Sequence, residues 1–296
     1  MKNLLIVCLF LFLSLSACKV DVDTHDSGHQ VQPPGAEAEP QAAPEPAADP
    51  QADYRALVDA AVNHPDRPPA DKQRDAQRKP AEVITFFDGL KPGMTVLDLF
   101  TGGGYYAELA ARIAGPEGSV WAQNPGRFYE NFGDEGITLR LANNRLPNVI
   151  RYDRDMDNLG LPENTFDAAI AAMVLHDFFW LSEDVPTVLL GICKALKPGG
   201  KFLITDHAAP DGTGNTMALK FRDGQHRIDE AYVVQIMTEA GFELVDSSDL
   251  LRVLEDDRSL PFFAEEMRGK YTDRFVLVFT KPEAQGRAEV TRNGFT

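Results

Sequence analysis

The stretch Val96–Gly104, VLDLFTGGG, joins a short apolar run containing one aspartate to three consecutive glycines. Its first part reads as a buried strand, and Thr101-Gly102-Gly103-Gly104 as a turn where backbone approaches something closely. Tyr105–Ala114, YYAELAARIA, follows at once with apolar residues at helical spacing, and Gly115-Pro116 stops it. Strand, glycine turn and helix in that order put bare amides and a helix N-terminus at the carboxyl end of a strand. Open α/β sheets bind their ligands there.

Working outward, strand and helix patterns alternate. Strands are expected at 119–123, 149–152, 166–173, 201–205, 242–246 and 275–280, with helices at 137–145, 185–196 and 230–240 between them. Seven strands with interleaved helices imply an α/β fold, a mostly parallel sheet covered on both faces. Upstream, Asp53 can cap a helix over 54–62, the charged run 67–79 is placed to cover a domain edge or the mouth of a site, and a helix from Pro80 to Phe87 is expected to end at Gly89.

Several segments resemble the class I S-adenosylmethionine (SAM) dependent methyltransferases of the menaquinone and ubiquinone type. Asp98, Gly102 and Gly104 match the acidic residue and glycines of that family's first motif, with Phe100 standing where its first glycine belongs. Asp155–Leu159 with Leu161–Asp167 is similar to its entry into the fourth strand, and Leu196-Lys197-Pro198-Gly199-Gly200 to its hairpin into the fifth. The resemblance runs from about Lys91 to Lys281 and implies a Rossmann-like sheet of order 3-2-1-4-5-7-6 with strand seven antiparallel. It also implies SAM as cofactor, with Gly102, Gly103 and Gly104 at its methionine end and Asp98 steadying that loop or the amino group. Asp155 would accept from the adenine amine and the Met156 amide would meet the ring. The family's strand-two acid, which takes the ribose hydroxyls, is missing. Gln123 and Asn124 stand there and are expected to make that contact without charge assistance.

Chemistry is expected at the carboxyl ends of strands four and five. His176-Asp177, Asp206-His207 and His226 converge on one rim, and imidazole suits a base near neutral pH. His176 is the favoured base, with His207 and His226 behind it. No required metal is expected, because side chains of adjacent residues diverge on extended backbone. The glycine-containing loop 208–227, with Phe221, Arg222 and Arg227, reads as a lid over a small or amphipathic acceptor. No Asn-Pro-Pro-Tyr or Asp-Pro-Pro-Tyr follows strand four, which disfavours exocyclic base amines as acceptors.

The formal charge of −16, from 29 Lys and Arg against 45 Asp and Glu, argues against a nucleic-acid partner. Lys2, the apolar run Leu4–Leu15 and Leu15-Ser16-Ala17-Cys18 resemble a bacterial lipoprotein signal, which implies lipidation of Cys18 and a place in the cell envelope. Cys193 would then be the one thiol left and reads as a core residue. The expected organisation is a signal peptide at 1–17, an acidic Pro/Ala-rich tether at 18–52, a helical extension at 53–90, the methyltransferase domain at 91–282 and a tail at 283–296. The expected function is methyl transfer from SAM to a small molecule. The alternative is a catalytically idle module of the same fold that binds a nucleoside-like metabolite.

Overall fold

Successive residues of each central strand belong to opposite cores, and that alternation builds the sheet. The computed structural model describes residues 50–221 and 224–283. Within it β1 (Thr95–Asp98), β2 (Ser119–Asn124), β3 (Val149–Asp153), β4 (Phe166–Ala172), β5 (Leu196–His207), β6 (Glu243–Ser248) and β7 (Arg274–Thr280) form one sheet of order β3-β2-β1-β4-β5-β7-β6. The first five strands run parallel, and β7 is antiparallel to both β5 and β6. Val96, Ala168, Ile170, Leu203 and Val276 bury into one face, while Leu97, Ala169, Ala171, Phe202, Ile204 and Leu277 bury into the other. A period of two with both residues apolar is what a sheet covered on both sides requires.

On the first face, α1 (Pro50–Val62), α3 (Pro80–Phe87) and α4 (Tyr105–Ala114) share a core. Tyr54, Val58, Val83, Ile84 and Phe87 are buried there, so the helical extension packs directly on the sheet. The second face carries α8 (Val185–Ala195) and α9 (Glu230–Glu239), with Cys193 buried and unbonded among them.

The charged run folds as α2 (Pro69–Arg78), with Arg67 and Asp71 buried, and two local expectations change. Asp88, in the left-handed region at φ 45°, ends α3, and Gly89 serves another purpose, since a Cβ there would lie 2.3 Å from the Phe87 ring. Between β2 and β3 the single expected helix is replaced by α5 (Gly126–Phe132) and α6 (Glu135–Leu141). A short α7 (Phe178–Leu181) follows β4. Among the described residues no helix is long and apolar enough to cross a membrane. Cys18 and the rest of 1–49, Arg222 and the tail beyond 283 lie outside the described residues.

Candidate active site

The glycine turn is held from three sides. Phe100 and Thr101 donate their amides to the side-chain and backbone carbonyls of Gln123, at 2.8 Å each. The Asn124 amide grips Gly102, its Oδ1 accepting from the Gly102 N–H at 2.8 Å and its Nδ2 donating to the Gly102 carbonyl at 3.0 Å. From α6, Arg140 donates to the Gly103 carbonyl and is itself bound by Asp71 of α2, at 2.7 Å, and by Glu108 of α4. Gly104 has φ 81°, and a Cβ there would meet Arg140 Cδ at 2.7 Å, so this position admits glycine alone. Phe100 itself sits at φ 47°, a conformation costly for an aromatic residue. Its ring lies edge-on to Phe128 of α5 at 5.1 Å.

Beside the turn lies a cleft of about 280 Å³ bounded by Asp98, Phe100–Gly103, Tyr106, Phe128, Phe132 and Met173, with Arg74 and Arg78 of α2 on its rim. Neither arginine is suggested by a ligand motif in the sequence. Their spacing of four on a helix that starts with Pro69 is the one available signal. Arg78 lies over the Tyr105 ring, 4.6 Å from its centroid. Asp98 is buried and accepts from the Thr101 hydroxyl. Burial pushes its carboxyl up to about 7, against the opposing pull of the Thr101 and Ala107 hydrogen bonds and the charges of Arg140 and Arg78. An anion fits the arginines and a cation fits Asp98, which is the charge pattern of an amino-acid end.

A second pocket of about 210 Å³ adjoins the first and shares Arg78, Phe100, Phe132, Met173 and Asp177 with it. Its remaining lining is His176, Trp180, His207, Phe221, His226 and Phe262. All three expected histidines are therefore in one place. His176 Nδ1 lies 2.7 Å from Asp206 Oδ1 and its Nε2 lies 3.3 Å from Asp177 Oδ1. Burial alone would lower its pKa, but the charges of Asp177 and Asp206 outweigh that and push it up to about 10. With no other cation beside it, the two carboxylates thus favour its protonated form, which weakens it as the free base expected from its position. His207 is the opposite case. Burial, then the positive charges of His176, Arg274 and Arg227, hold it well below its ordinary value. Its Nδ1 is 2.6 Å from the Thr272 hydroxyl, and its ring stacks on Phe262 with planes 2° apart.

The expected divergence of neighbouring side chains does not occur. Asp177 has helical φ −70° and ψ −20°, and its amide donates to the Val174 carbonyl, so the chain curls after β4 and the two side chains meet. Arg227 is no lid residue. It is wholly buried, paired with Asp256 at 2.9 Å, and donates to the Ala208 and Leu260 carbonyls.

The nucleoside residues are placed differently from expectation. Gln123 is fully buried, with its Oε1 on the Phe100 amide and its Nε2 donating to the Arg154 carbonyl at 2.6 Å. With Asn124 fixed on Gly102, both amides are engaged by the backbone. Asp155 accepts from the Gly126 amide at 2.7 Å and so caps α5, and Met156 is buried behind it. Sequence reasoning missed α5 and with it Phe128 and Phe132, which wall the cleft.

Fold and site together define a domain of the SAM-dependent methyltransferase class. Residues 72–247 match the family model described as a methyltransferase domain, and the chain belongs to that family. Over 182 residues it is 26% identical to a ubiquinone/menaquinone biosynthesis C-methyltransferase of Saccharophagus degradans, covering 61% of this chain and 66% of that relative. Over 122 residues it is 34% identical to a 2-phytyl-1,4-naphtoquinone methyltransferase of Synechococcus elongatus, covering 40% of this chain and 48% of the relative. The chain thus spans less than two thirds of either relative's length. Among solved structures it is similar in fold to a SAM-dependent methyltransferase of Aquifex aeolicus, with TM-score 0.51 and 21% identity over 79% of this chain and 100% of that one. It is equally similar to the [4+2]-cyclase SpnF, at TM-score 0.51 and 20% identity over 73% of this chain and 82% of that one.

Proposed function

We propose that this chain transfers a methyl group from SAM to a small acceptor bound among the aromatic side chains of the second pocket. The observation that carries the reading is the continuity of the two pockets: one borders the glycine turn, the other borders the histidines, and five residues line both. The methionine end fits the residues present, with Arg74 and Arg78 opposite a carboxylate and Asp98 opposite an ammonium. The cofactor supplies a methyl group on a positively charged sulfur. Phe100, Phe132 and Met173 line both pockets, and the two phenyl rings among them suit a positive charge.

At the acceptor end, Phe221, Trp180 and Phe262 favour a flat ring, and the relatives named as quinone methyltransferases support that choice. His207 lines the pocket as a neutral imidazole, and the burial and positive neighbours that keep it neutral suit it to a hydrogen bond with the acceptor rather than to taking up a proton. At the nucleoside end, Asp155 Oδ1 accepts the Gly126 amide, and its second oxygen can accept from an adenine amine. The same reading keeps Cys18 as a lipidated anchor at the cell envelope.

The test is calorimetric titration of the folded chain with SAM and with its demethylated product, followed by transfer of labelled methyl to a panel of phenols and quinols. Binding is expected, and Asp155→Ala should weaken it by about tenfold or more, the cost of a hydrogen bond to a charged acceptor. A folded chain that binds neither compound at millimolar concentration sinks the reading and leaves the metabolite-binding module. Binding with no transfer to any ring acceptor would instead reject the acceptor class.

A further inference from the structure

Three side chains at the floor of the second pocket present their free valences to a single point. The Phe221 carbonyl can only accept, so at 2.6 Å it fixes the proton of His226 on Nε2. The Asp206 carboxylate accepts the His176 and His207 amides, at 2.8 Å each, and also lies 2.7 Å from His176 Nδ1, which places a proton on that nitrogen. Each imidazole therefore turns its other nitrogen inward, and both inward nitrogens face Asp177 Oδ1, at 3.3 Å from His176 Nε2 and 3.2 Å from His226 Nδ1. Each inward nitrogen meets that carboxylate oxygen through a positive group, either a proton on the ring or one cation shared by all three atoms.

From this geometry we propose that His176 Nε2, Asp177 Oδ1 and His226 Nδ1 bind one divalent transition-metal ion, with Zn²⁺ the ion the donor set suits best. The three atoms lie within 4.8 Å of one another. A tetrahedral ion with bonds of about 2.0–2.1 Å sets its ligand atoms roughly 3.3 Å apart, and both nitrogen–oxygen separations here already have that value. The outer partners are those that metal-bound histidines use, a carboxylate on His176 and a backbone carbonyl on His226. The Trp180 indole N–H donates to Asp177 Oδ1 at 2.7 Å and orients that carboxylate. Asp177 and Asp206 balance the two charges of the ion. Three protein ligands leave a position open, and all three residues line the pocket assigned above to the acceptor, so an acceptor oxygen can complete the coordination. This last step rests on the proposed methyltransferase reading, whereas metal binding itself does not.

The test uses the full chain, stripped of metal by a chelator and dialysed, without SAM or any acceptor. Zn²⁺ titration is expected to give one ion per chain, and Co²⁺ in its place the intense visible absorption of a tetrahedral nitrogen–oxygen site. His226→Ala and Asp177→Asn should each weaken binding by more than about 100-fold, and Asp206→Asn, which only loosens the outer partner of His176, by about 10–100-fold. His64→Ala, on a half-buried histidine outside the pocket, should change nothing. Circular dichroism identifies any variant that fails to fold, and the near-isosteric Asp177→Asn then carries the comparison. Binding that persists unchanged in folded Asp177→Asn or His226→Ala, or a wild-type chain that takes up no Zn²⁺ or Co²⁺, would overturn the site. Failure of SAM to bind leaves this result untouched, which separates the two readings.

Discussion

Asn124 holds Gly102 by both faces of one peptide, accepting from its N–H at 2.8 Å and donating to its carbonyl at 3.0 Å. A carboxylate at this position, as the resemblance implies at the end of strand two, can keep the first bond but not the second. Asn124→Asp should therefore lower stability by about 1–3 kcal/mol, because the half-buried Gly102 carbonyl loses its donor and faces an anion. Chemical denaturation measures it. A variant as stable as the parent that also binds SAM more tightly would show that this amide turns outward to the ribose.

Asp98 makes ligand binding depend on pH in a defined sense. Its carboxyl titrates at about 7 in the folded chain and at its ordinary 3.8 when unfolded, so between those values the folded state holds the extra proton and stability declines as pH rises. A ligand that brings an ammonium to Asp98 favours the ionised form. SAM affinity should rise from pH 6 to pH 8, by at most about tenfold per unit, and level off above. Asp98→Asn should flatten the profile, and a slope surviving in that variant would assign the titration elsewhere.

Glu108 is wholly buried in α4 and contacts Arg112, Arg140 and Arg145. Burial would raise its pKa, but the hydrogen bonds of Arg145 and Arg112 and the charge of Arg140 outweigh it and hold the carboxyl at about 2. With a folded pKa below the ordinary 4.5, its contribution is complete above that value and is lost as pH falls towards 2. Glu108→Gln should cost about 3–5 kcal/mol at pH 7, as expected for removing one partner of a buried ionic cluster, and much less near pH 2. Equal losses at both pH values would mean that packing rather than charge is responsible.

Cys18→Ser should abolish lipid attachment and release the chain from membranes, or leave an unprocessed precursor. Fractionation of the producing cells, with labelled fatty acid as tracer, measures it. Unchanged membrane association together with normal processing would rule out the anchor.

The strand order was implied by the family resemblance, whereas the sheet covered on both faces was legible because every central strand carries apolar residues at successive positions, and the turn because of Gly102–Gly104. The helix α5 was not. GRFYENF starts with glycine and spans only two turns, with Phe128 and Phe132 as its one apolar pair at helical spacing, and its first amide is satisfied by Asp155, 29 positions away. Such tertiary capping leaves no local trace. Convergence of His176, His207 and His226 followed from their places at strand and loop ends, but the curl at Asp177 that brings neighbouring side chains together is a backbone event that residue types do not announce. Gln123 and Asn124 could be placed at the end of β2 from sequence, whereas the direction of their amides depends on which peptides lie within reach.

Arg140 ties the glycine turn to two helices, and this bears on how the molecule can be dissected. Its guanidinium joins the Gly103 carbonyl to Asp71 and Glu108, yet the segment shared with the family model begins at residue 72 and ends at 247. An excised fragment with those limits would leave Arg140 short of one of its two acidic partners. It would also delete β7, the strand that joins β5 to β6. A fragment that keeps both acidic partners of Arg140 and β7 is therefore longer than the matched segment, and truncation experiments should begin upstream of Arg67 and run through Thr280.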